Sequence, residues 1–425
     1  MRTSPRRLAF EVIAETELNG GYSNLLLPKR LRDSDLEARD RGFVTELVYG
    51  TIRMKGKCEY FISQVSDRPI HEIDPKVLIV LRIGVYQLVE LGAPAHAAVN
   101  ETVELAKQVV GRSASSFVNA LLRRIERESS TIELPLSQRF SHPDWIINAY
   151  RDALKTDSEV ELLLQANNEA ATPTLIAWPG LSTQEELLSA GATPISGSTV
   201  AASFDGNPSE IEAIRKRRAG VQDYGSQLVV ELFFGSSSGT SARWLDLCAG
   251  PGGKAAYLDA LIHENSCGDF VANEISEERA RLVSQVVHHG KITNFDGRTL
   301  PAVMGDFDRI LIDAPCTGLG ALRRRPEVRW RRQPGDLAPL RHLQSELLDS
   351  AAARLTRGGV IGYATCSPHL AETKHQVKAF LLRHPNFRRR TIESPLADND
   401  GDMQLWTHRD GTDAMYLALL EKVDG

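Results

Sequence analysis

Short apolar runs alternate with helical segments in the carboxyl-terminal half of the chain, and this alternation restricts the fold more than any other sequence feature. Four runs are typical of buried strands, and each ends in polar, glycine or cysteine residues: WLDLCA, DFVANEI, DRILIDAP and GVIGYATC. Alternation of this kind predicts a parallel α/β sheet. Because ligands bind outside the carboxyl ends of the strands in such sheets, we expect the functional residues at the ends of these runs. Residues 336–357 are predicted to form an amphipathic helix between the last two runs, ended by Gly358-Gly359.

The amino-terminal third of the chain is predicted to contain only helices. Up to about Arg127, apolar residues recur at the spacing of one helix face, most clearly from Pro75 to Leu91. Asp74 before Pro75 is typical of an N-cap followed by proline at the first helical position. No catalytic constellation occurs in this stretch, so we expect an all-helical domain over residues 1–130.

Three further stretches follow this domain. Residues 131–140 carry proline and lack helical periodicity, which predicts a linker. Residues 141–235 are predicted to form a small α/β subdomain, with a strand in TPTLIAWPG and an apolar helix from Gln227 to Phe234. The GSSSGTS segment is predicted to be a flexible connector, and residues 236–425 hold the predicted sheet.

The composition argues against several classes of protein. The chain has 425 residues, of which 42% are hydrophobic and 25% charged, as is ordinary for a globular protein of two or three domains. No apolar run approaches the length of a membrane span, and MRTSPRRLAF at the start lacks the apolar core of a signal peptide. We therefore expect a cytoplasmic protein that has no membrane partner.

The cysteines are odd in number and widely scattered, at Cys58, Cys248, Cys267, Cys316 and Cys366. No CxxC pair or Cys/His ligand spacing occurs, so we expect neither a disulfide framework nor a metal site. Each thiol is then either a small core residue or a reactive group.

A glycine-rich turn joins the first apolar run to a helix in LDLCAGPGGKAAYL. Gly250, Gly252 and Gly253 let the backbone turn tightly and approach a ligand closely. The turn is not a P-loop, because Cys248 replaces the first glycine and Ala255 follows the lysine in place of Ser or Thr. The spacing of the glycines fits the dinucleotide fingerprint loosely, and a turn without a ligand is the alternative.

Acidic residues end or follow the neighbouring runs. Glu274 ends the second run at the ~20-residue distance where an acid binds ribose hydroxyls, which favours an adenosine cofactor. Asp296, in NFDGR, fits either an adenine contact or a surface turn. Asp246, at the end of the first run, fits a structural role as well as a functional one.

Two cysteines follow the ends of different strands, Cys316 in DAPCTG and Cys366 in ATCSP. A single cysteine at a strand end is usually a packing residue. Two of them, each in a turn with proline and each on the edge predicted for the glycine turn, indicate a chemical role instead.

These motifs match a known family. LCAGPGGK, DAPCTGLG and YATCSPHLAET, with RRRPEVRW and QDYGSQL, closely resemble the bacterial RsmB (Fmu/Sun) 16S ribosomal RNA cytosine-C5 methyltransferases. NLLLPKRL, ARDRGFVTELVYGTIR, LRIGVYQL and FVNALLRR resemble the NusB-like helical domain of those enzymes. The resemblance covers nearly the whole chain and implies an S-adenosylmethionine-dependent enzyme that acts on small-subunit ribosomal RNA.

The resemblance also implies a role for each site residue. Cys366 would be the nucleophile, and Cys316 would assist product release. Asp313, besides contacting the cofactor, is placed in the sequence to hydrogen-bond the target base. The implied cofactor contacts are Cys248, Ala249, Gly250, Pro251, Gly252, Gly253, Lys254, Glu274, Asp296 and Asp313.

The implied chemistry needs a thiolate, since cytosine C5 is a poor nucleophile. Addition of a thiolate to C6 raises the electron density at C5, which then attacks the methyl sulfonium. Loss of the C5 proton expels the thiolate, and a second thiol can act there as a base or a proton shuttle.

Three positions depart from the family pattern. Gly250 replaces the more frequent alanine, and Glu274 replaces the usual aspartate, with a longer arm that is still expected to reach a ribose diol. The segment GTDAMYLALL lacks the more frequent glycine-phenylalanine pair, which affects local packing and not the chemistry.

Two runs of basic residues stand out against the net charge of −5. The first follows the Cys316 motif and is interpreted as an RNA contact; it comprises Arg323, Arg324, Arg325, Arg329, Arg331 and Arg332. The second run, at 215–218, fits a solvated surface equally well. We therefore expect an N-terminal helical RNA-binding domain, a small α/β RNA-binding subdomain and a doubly wound, Rossmann-like methyltransferase domain.

Three other functions explain less of the sequence. A nicotinamide dehydrogenase uses the glycine turn and Glu274 but leaves Cys316 and Cys366 without a role. A cysteine hydrolase that pairs Cys366 with His369 or another histidine leaves the glycine turn unused. A non-catalytic RNA-binding or antitermination factor accounts for the helical domain alone.

Overall fold

The computed structural model describes residues 4–236 and 241–423, whose contacts define two compact units. The first comprises Met1–Asn148, Val160–Glu169 and Leu322–Arg332, and the second comprises Ala149–Glu159, Ala170–Ala321 and Gln333–Gly425. These units cut across the four ranges predicted from the sequence, because two segments distant in sequence join the helical part. The predicted linker contains a short helix, and residues 237–240 of the predicted GSSSGTS connector lie outside the described residues.

Helices and strands are numbered in chain order. The helices are α1 (Pro5–Leu18), α2 (Ser23–Arg32), α3 (Ala38–Arg53), α4 (Lys55–Val65), α5 (Pro75–Val89), α6 (Ala95–Val109), α7 (Arg112–Glu128), α8 (Leu136–Arg139), α9 (Asp144–Leu154), α10 (Asp157–Ala166), α11 (Gln184–Ser189), α12 (Glu212–Arg215), α13 (Tyr224–Gly235), α14 (Gly253–Glu264), α15 (Glu277–Val283), α16 (Val328–Arg331), α17 (Leu337–Arg354), α18 (Lys374–Arg383) and α19 (Thr407–Asp410). The strands are β1 (Thr174–Ala177), β2 (Thr193–Pro194), β3 (Ala201–Ser203), β4 (Ala219–Val221), β5 (Ala242–Asp246), β6 (Gly268–Asn273), β7 (Lys291–Thr293), β8 (Phe307–Asp313), β9 (Leu355–Thr365), β10 (Phe387–Arg390), β11 (Met403–Gln404) and β12 (Tyr416–Lys422).

The first unit is built from helices, as the periodicity predicted. Asp74 Oδ1 caps α5 by accepting hydrogen bonds from the amides of Lys76 (2.8 Å) and Val77 (3.3 Å), and Pro75 occupies the first turn. Helices α1, α3, α4, α5 and α7 all contribute buried aliphatic side chains to one core. The amphipathic faces that the sequence showed are therefore stabilised mainly by packing against one another.

The arginine run after Cys316 is partly structural, which corrects its interpretation as an RNA contact. Arg329 is fully buried. Its guanidinium donates to the carbonyls of Arg53 (3.1 Å) and Ser141 (2.9 Å) and to Asn168 Oδ1 (2.8 Å). Trp330 Nε1 donates to the Ile52 carbonyl at 2.7 Å. This part of the run holds the segment 322–332 on the helices of its unit and offers no charge to phosphates.

Arg329→Ala is expected to destabilise the first unit by about 3 kcal/mol, because several buried acceptors lose their donor. Thermal unfolding of the full chain measures this as a melting transition several degrees lower. Arg30→Ala is the matched control, since Arg30 is an exposed arginine of the same unit and its removal should leave the transition within error. Equal melting curves for the two variants would show that the buried guanidinium is dispensable.

A small antiparallel sheet occupies the start of the second unit, in the order β2-β3-β1-β4. The strand predicted in TPTLIAWPG is β1, and the predicted apolar helix is α13, so both predictions are confirmed. Within the basic run at 215–218, Lys216 pairs with Glu212 (2.6 Å) and Arg218 with Glu186. An RNA contact by this run stays a prediction.

The large sheet carries the predicted α/β fold. Its strand order is β10-β12-β9-β8-β5-β6-β7, with β11 beside β12. Strands β5 to β9 run parallel, whereas β12 is antiparallel to β9. Side chains of α13 and α14 fill one core, and those of α17 and α18 fill another. Helices thus cover the sheet on both faces, as a doubly wound fold requires.

The helix predicted over residues 336–357 ends earlier than expected. Helix α17 stops at Arg354, and β9 begins at Leu355, so Gly358 and Gly359 lie inside the strand and do not end the helix. The cause is tertiary: Leu355 is buried and pairs with Phe307 of β8. Among the described residues, no helix combines the length and apolar character of a membrane span.

Candidate active site

The candidate functional residues meet at one edge of the large sheet, where β5, β6, β8 and β9 end. These strands are parallel, so their last residues lie on the same edge: Asp246, Asn273, Asp313 and Thr365. The glycine turn follows β5, and the two cysteine turns follow β8 and β9. The structure therefore brings together the motifs that the sequence placed at strand ends.

The glycine turn leads from β5 into α14. The amide of Ala249 donates to the carbonyl of Asn273 at 2.9 Å, which holds the turn against the end of β6. Gly252 has a φ of 117°, and a Cβ there would lie 2.6 Å from Val286 Cγ2, so the turn requires glycine. Helix α14, 12 residues long, begins at the next residue. Its N-terminus at the sheet edge favours negatively charged ligand groups.

Glu274 is built into this turn and is only 3% exposed. Its Oε2 accepts a hydrogen bond from the amide of Gly250 (3.0 Å), and its Oε1 accepts from the amide of Ser276 (2.9 Å). Arg279 forms an ion pair with Glu274 (3.5 Å) and donates to the Gly250 carbonyl. A Cβ on Gly250 would clash with Glu274 Oε2 and lie 2.8 Å from Arg279 Nε. The two departures from the family pattern are therefore in contact, since a methyl group at position 250 would displace the carboxylate of Glu274.

Gly250→Ala is expected to weaken cofactor binding about tenfold, because the added methyl group displaces Glu274. The double variant that also carries Glu274→Asp should recover most of the affinity, since the shorter acid leaves room for the methyl group. Calorimetric titration with S-adenosylhomocysteine measures both, and Glu274→Asp alone is the control. If the double variant binds no better than Gly250→Ala, the two positions are not coupled.

Asp296 lies near the same edge. Asn273 at the end of β6 bonds both backbone groups of Phe295, donating to its carbonyl and accepting from its amide at 3.0 Å each. The carboxylate of Asp296 already pairs with Arg298 at 2.6 Å, and this contact lowers the pKa of Asp296. An adenine contact by Asp296 stays a prediction.

Three ionisable residues, Lys254, Asp246 and Asp313, lie at the sheet edge near the glycine turn and the thiols. Lys254, in the first turn of α14, donates to Asp313 Oδ2 at 2.8 Å. Burial opposes the charge of Lys254, but Asp313 raises its pKa overall. Burial and the charge of Asp313 raise the pKa of Asp246 to about 8. Asp246 is therefore mostly protonated at neutral pH, and Asp313 is the acid that balances Lys254.

The two strand-end thiols are in contact. Cys316 Sγ and Cys366 Sγ are 3.4 Å apart; Cys316 is buried and Cys366 is partly exposed. The hydrogen bond between them lowers the pKa of Cys366, with a further contribution from Lys254, and raises the pKa of Cys316. The contact thus favours ionisation of Cys366 over ionisation of Cys316.

Glu372 holds the two cysteine turns together, a role that our reading of the sequence missed. This carboxylate is fully buried. Oε1 accepts from the amide of Thr317 (2.9 Å) and Oε2 from its hydroxyl (2.5 Å), and that hydroxyl is 3.0 Å from Ser367 Oγ. Thr317 follows Cys316, and Ser367 follows Cys366, so Glu372 fixes the distance between the thiols. The sequence feature that could have indicated this role is the position of Glu372 within the motif YATCSPHLAET, six residues after Cys366.

Comparison with family models and curated proteins gives matches along almost the whole chain. The model of the 16S rRNA methyltransferase RsmB/F matches residues 238–421, and that of the NusB family matches residues 3–127. A putative methyltransferase of Mycobacterium tuberculosis is 42% identical, over 98% of this chain and 96% of that protein. The ribosomal RNA small subunit methyltransferase B of an Enterobacter species is 31% identical, over 98% and 99%.

Solved structures show the same fold. The crystal structure of PH0851 superposes with a TM-score of 0.84 at 22% identity, covering 99% of this chain and 100% of that one. The structure of NSun6 from Pyrococcus horikoshii with SFG has a TM-score of 0.59 at 18% identity, covering 67% and 99%.

Proposed function

The chain belongs to the RsmB/F family of S-adenosylmethionine-dependent 16S rRNA methyltransferases, and from this membership we propose that it methylates C5 of a cytosine in small-subunit ribosomal RNA through a covalent bond from Cys366 to C6. The observation that carries the proposal is the contact of the two thiols, 3.4 Å apart at the edge where the glycine turn lies. Methylation of an RNA base by simple attack of an amine or hydroxyl needs no thiol, whereas methylation at C5 does.

The residues at this edge fit S-adenosylmethionine. Gly252 and its neighbours leave room for a close backbone approach, and the N-terminus of α14 can receive a carboxylate. Glu274 remains able to accept from a ribose hydroxyl, because its oxygens have further lone pairs. When bound, S-adenosylmethionine supplies an electrophilic methyl group. Residues 248–254 with Glu274, Asp296 and Asp313 are proposed to hold it.

The first step belongs to Cys366. Its thiolate attacks C6 of the cytosine, which breaks the C5–C6 double bond and places the electron pair at C5. Asp313 is proposed to bind the N3 and N4 edge of the base, and Lys254, paired with it at 2.8 Å, supplies the proton that neutralises N3. C5 then attacks the methyl group, the bond from that methyl group to the sulfonium sulfur breaks, and S-adenosylhomocysteine leaves with the electron pair.

The last step belongs to Cys316. Once Cys366 is bonded to C6, Cys316 first gives its own proton to solvent; its thiolate then takes the proton from C5, and the electron pair re-forms the C5–C6 double bond. The C6–S bond breaks, Cys366 leaves as a thiolate, and the proton on N3 returns to Lys254. The target base must be unstacked to reach Cys366, so we propose an RNA loop or exposed segment as the substrate, positioned by the NusB-like domain and the small sheet subdomain.

The rival functions leave these contacts unexplained. A dehydrogenase has no role for the thiols. A cysteine hydrolase requires a histidine base for Cys366, but His369 Nδ1 accepts a hydrogen bond from the amide of Ala371 at 3.1 Å. A non-catalytic RNA-binding factor has no need of the thiol contact or of the acids beside it.

Methyl transfer to deproteinised 16S ribosomal RNA from labelled S-adenosylmethionine tests the proposal, with bisulfite sequencing to locate 5-methylcytosine. We expect one cytosine to be protected from bisulfite conversion, and we expect no protection at that position without the enzyme. Label in another base or another atom of cytosine would contradict the C5 assignment. If the enzyme binds the cofactor normally but transfers no label to this RNA, the proposal that 16S ribosomal RNA is the substrate would be contradicted.

A further inference from the structure

Gln222, in the QDYG segment between β4 and α13, has no role in the chemistry described above. Its backbone is fixed: the amide donates to the carbonyl of Thr174 (2.9 Å), and the carbonyl accepts from Gln227 Nε2 (2.9 Å). The residue is only 7% exposed. Within residues 4–236 and 241–423, neither Nε2 nor Oε1 of its side chain has a hydrogen-bond partner.

Such an arrangement is costly without a ligand. A buried carboxamide that lacks partners loses its hydration and gains nothing in return, so unpartnered buried amides in native proteins call for an explanation. The neighbouring acid is occupied, since Asp223 Oδ1 accepts from the amides of Gly225 (2.9 Å) and Asp413 (3.1 Å). Gln222 alone of this pair offers a donor and an acceptor that are unused by the described residues.

The carboxamide faces the start of α14. Gln222 Cδ lies 3.9 Å from the position of a Cβ on Gly253, the first residue of that helix. Beyond the local chain of Gly253, it is the single heavy atom of the described residues within 4 Å of that point. The carboxamide therefore lies close to the helix N-terminus, beside a point that no other described side chain approaches within 4 Å, and the first amides of the helix have no side-chain cap from Gly252.

We propose that Gln222 binds the amino-acid end of S-adenosylmethionine, with Nε2 donating to the α-carboxylate and Oε1 accepting from the α-ammonium group. A zwitterion needs one donor and one acceptor side by side, which a carboxamide provides. The helix N-terminus adds a favourable field for the carboxylate. The proposal rests on the cofactor of the proposed function and is independent of which base is methylated.

Two ligands separate this contact from a structural role. S-adenosylhomocysteine has the amino-acid end, and 5′-methylthioadenosine lacks it. Gln222→Leu should weaken S-adenosylhomocysteine binding about tenfold or more, as expected for two lost hydrogen bonds. Its affinity for 5′-methylthioadenosine should change less than twofold. Gln285→Leu, at an exposed glutamine, is the control and should change neither.

The melting temperature without ligand adds a second readout. Gln222→Leu should be as stable as the parent or more so, because leucine removes two unpartnered polar atoms from a buried position. Equal weakening of both ligands, or a marked loss of stability, would overturn the proposal in favour of a structural role. Unchanged binding of both would overturn it as well, and normal cofactor binding with weakened RNA binding would assign Gln222 to the base. Because no RNA turnover is measured with the two small ligands, failure here leaves the C5 proposal untouched.

Discussion

Cys366→Ala is expected to abolish methyl transfer, with a rate lowered by roughly 10⁴-fold or more. The alanine cannot add to C6, so C5 stays too electron-poor to attack the methyl group. The fold should be unaffected, because Cys366 is partly exposed and its Sγ hydrogen-bonds the neighbouring thiol of Cys316. Single-turnover transfer of label to 16S ribosomal RNA measures the effect, with S-adenosylhomocysteine titration to show that the cofactor site is intact.

Cys267→Ala is the control for this variant, since Cys267 is also a partly exposed free thiol of the same unit. Its Sγ contacts the carbonyl of Ile262 (3.6 Å), away from the two strand-end turns. We expect it to methylate at the parental rate. Appreciable turnover by Cys366→Ala would remove Cys366 as the nucleophile.

Cys316→Ala is expected to accumulate enzyme that is covalently bound to RNA. The first step needs only Cys366, so the adduct forms and C5 is methylated. The group proposed to take the C5 proton is missing, and the C6–S bond then breaks slowly. A denaturing gel of enzyme, RNA and S-adenosylmethionine should show a slow band that disappears when the RNA is digested.

The double variant, with alanine at 316 and 366, provides the control and should give no slow band. The pH dependence of adduct formation by Cys316→Ala provides an independent test of the contact between the two thiols. The hydrogen bond from Cys316 lowers the pKa of Cys366, so its loss should shift adduct formation to higher pH. Free enzyme alone on the gel, together with normal turnover, would show that Cys316 has no part in release.

The sequence predicts well that the candidate site residues share one edge of the sheet, since this depends on local patterns. Each apolar run predicted to be a strand ends in polar, glycine or cysteine residues, and parallel strands bring those ends to the same edge of the sheet. The sequence alone thus places the thiols at 316 and 366, Asp313 and the glycine turn at one edge. The 3.4 Å contact and the pKa shifts that it causes required the structure.

What the sequence could not predict depends on tertiary contacts. Arg329 belongs to a charged run that is typical of a surface, yet buried carbonyls from three distant segments surround its guanidinium. Gly358 and Gly359 are typical helix terminators, but pairing with β8 draws them into a strand. In the sequence, Gly250 and Glu274 are two separate departures from the family pattern. The structure connects them, because a Cβ on residue 250 would clash with Glu274 Oε2. In each case the deciding contact joins residues distant in sequence.

The covalent bond to Cys366 is the central claim, and RNA with 5-fluorocytidine in place of cytidine tests it most directly. Fluorine at C5 leaves no proton to remove after methylation, so the C6–S bond cannot break and the adduct persists. Digestion and mass spectrometry of the adduct then identify the attached cysteine. We predict attachment at Cys366, dependent on S-adenosylmethionine. Attachment at Cys316, or no adduct under conditions where ordinary RNA is methylated, would contradict the account.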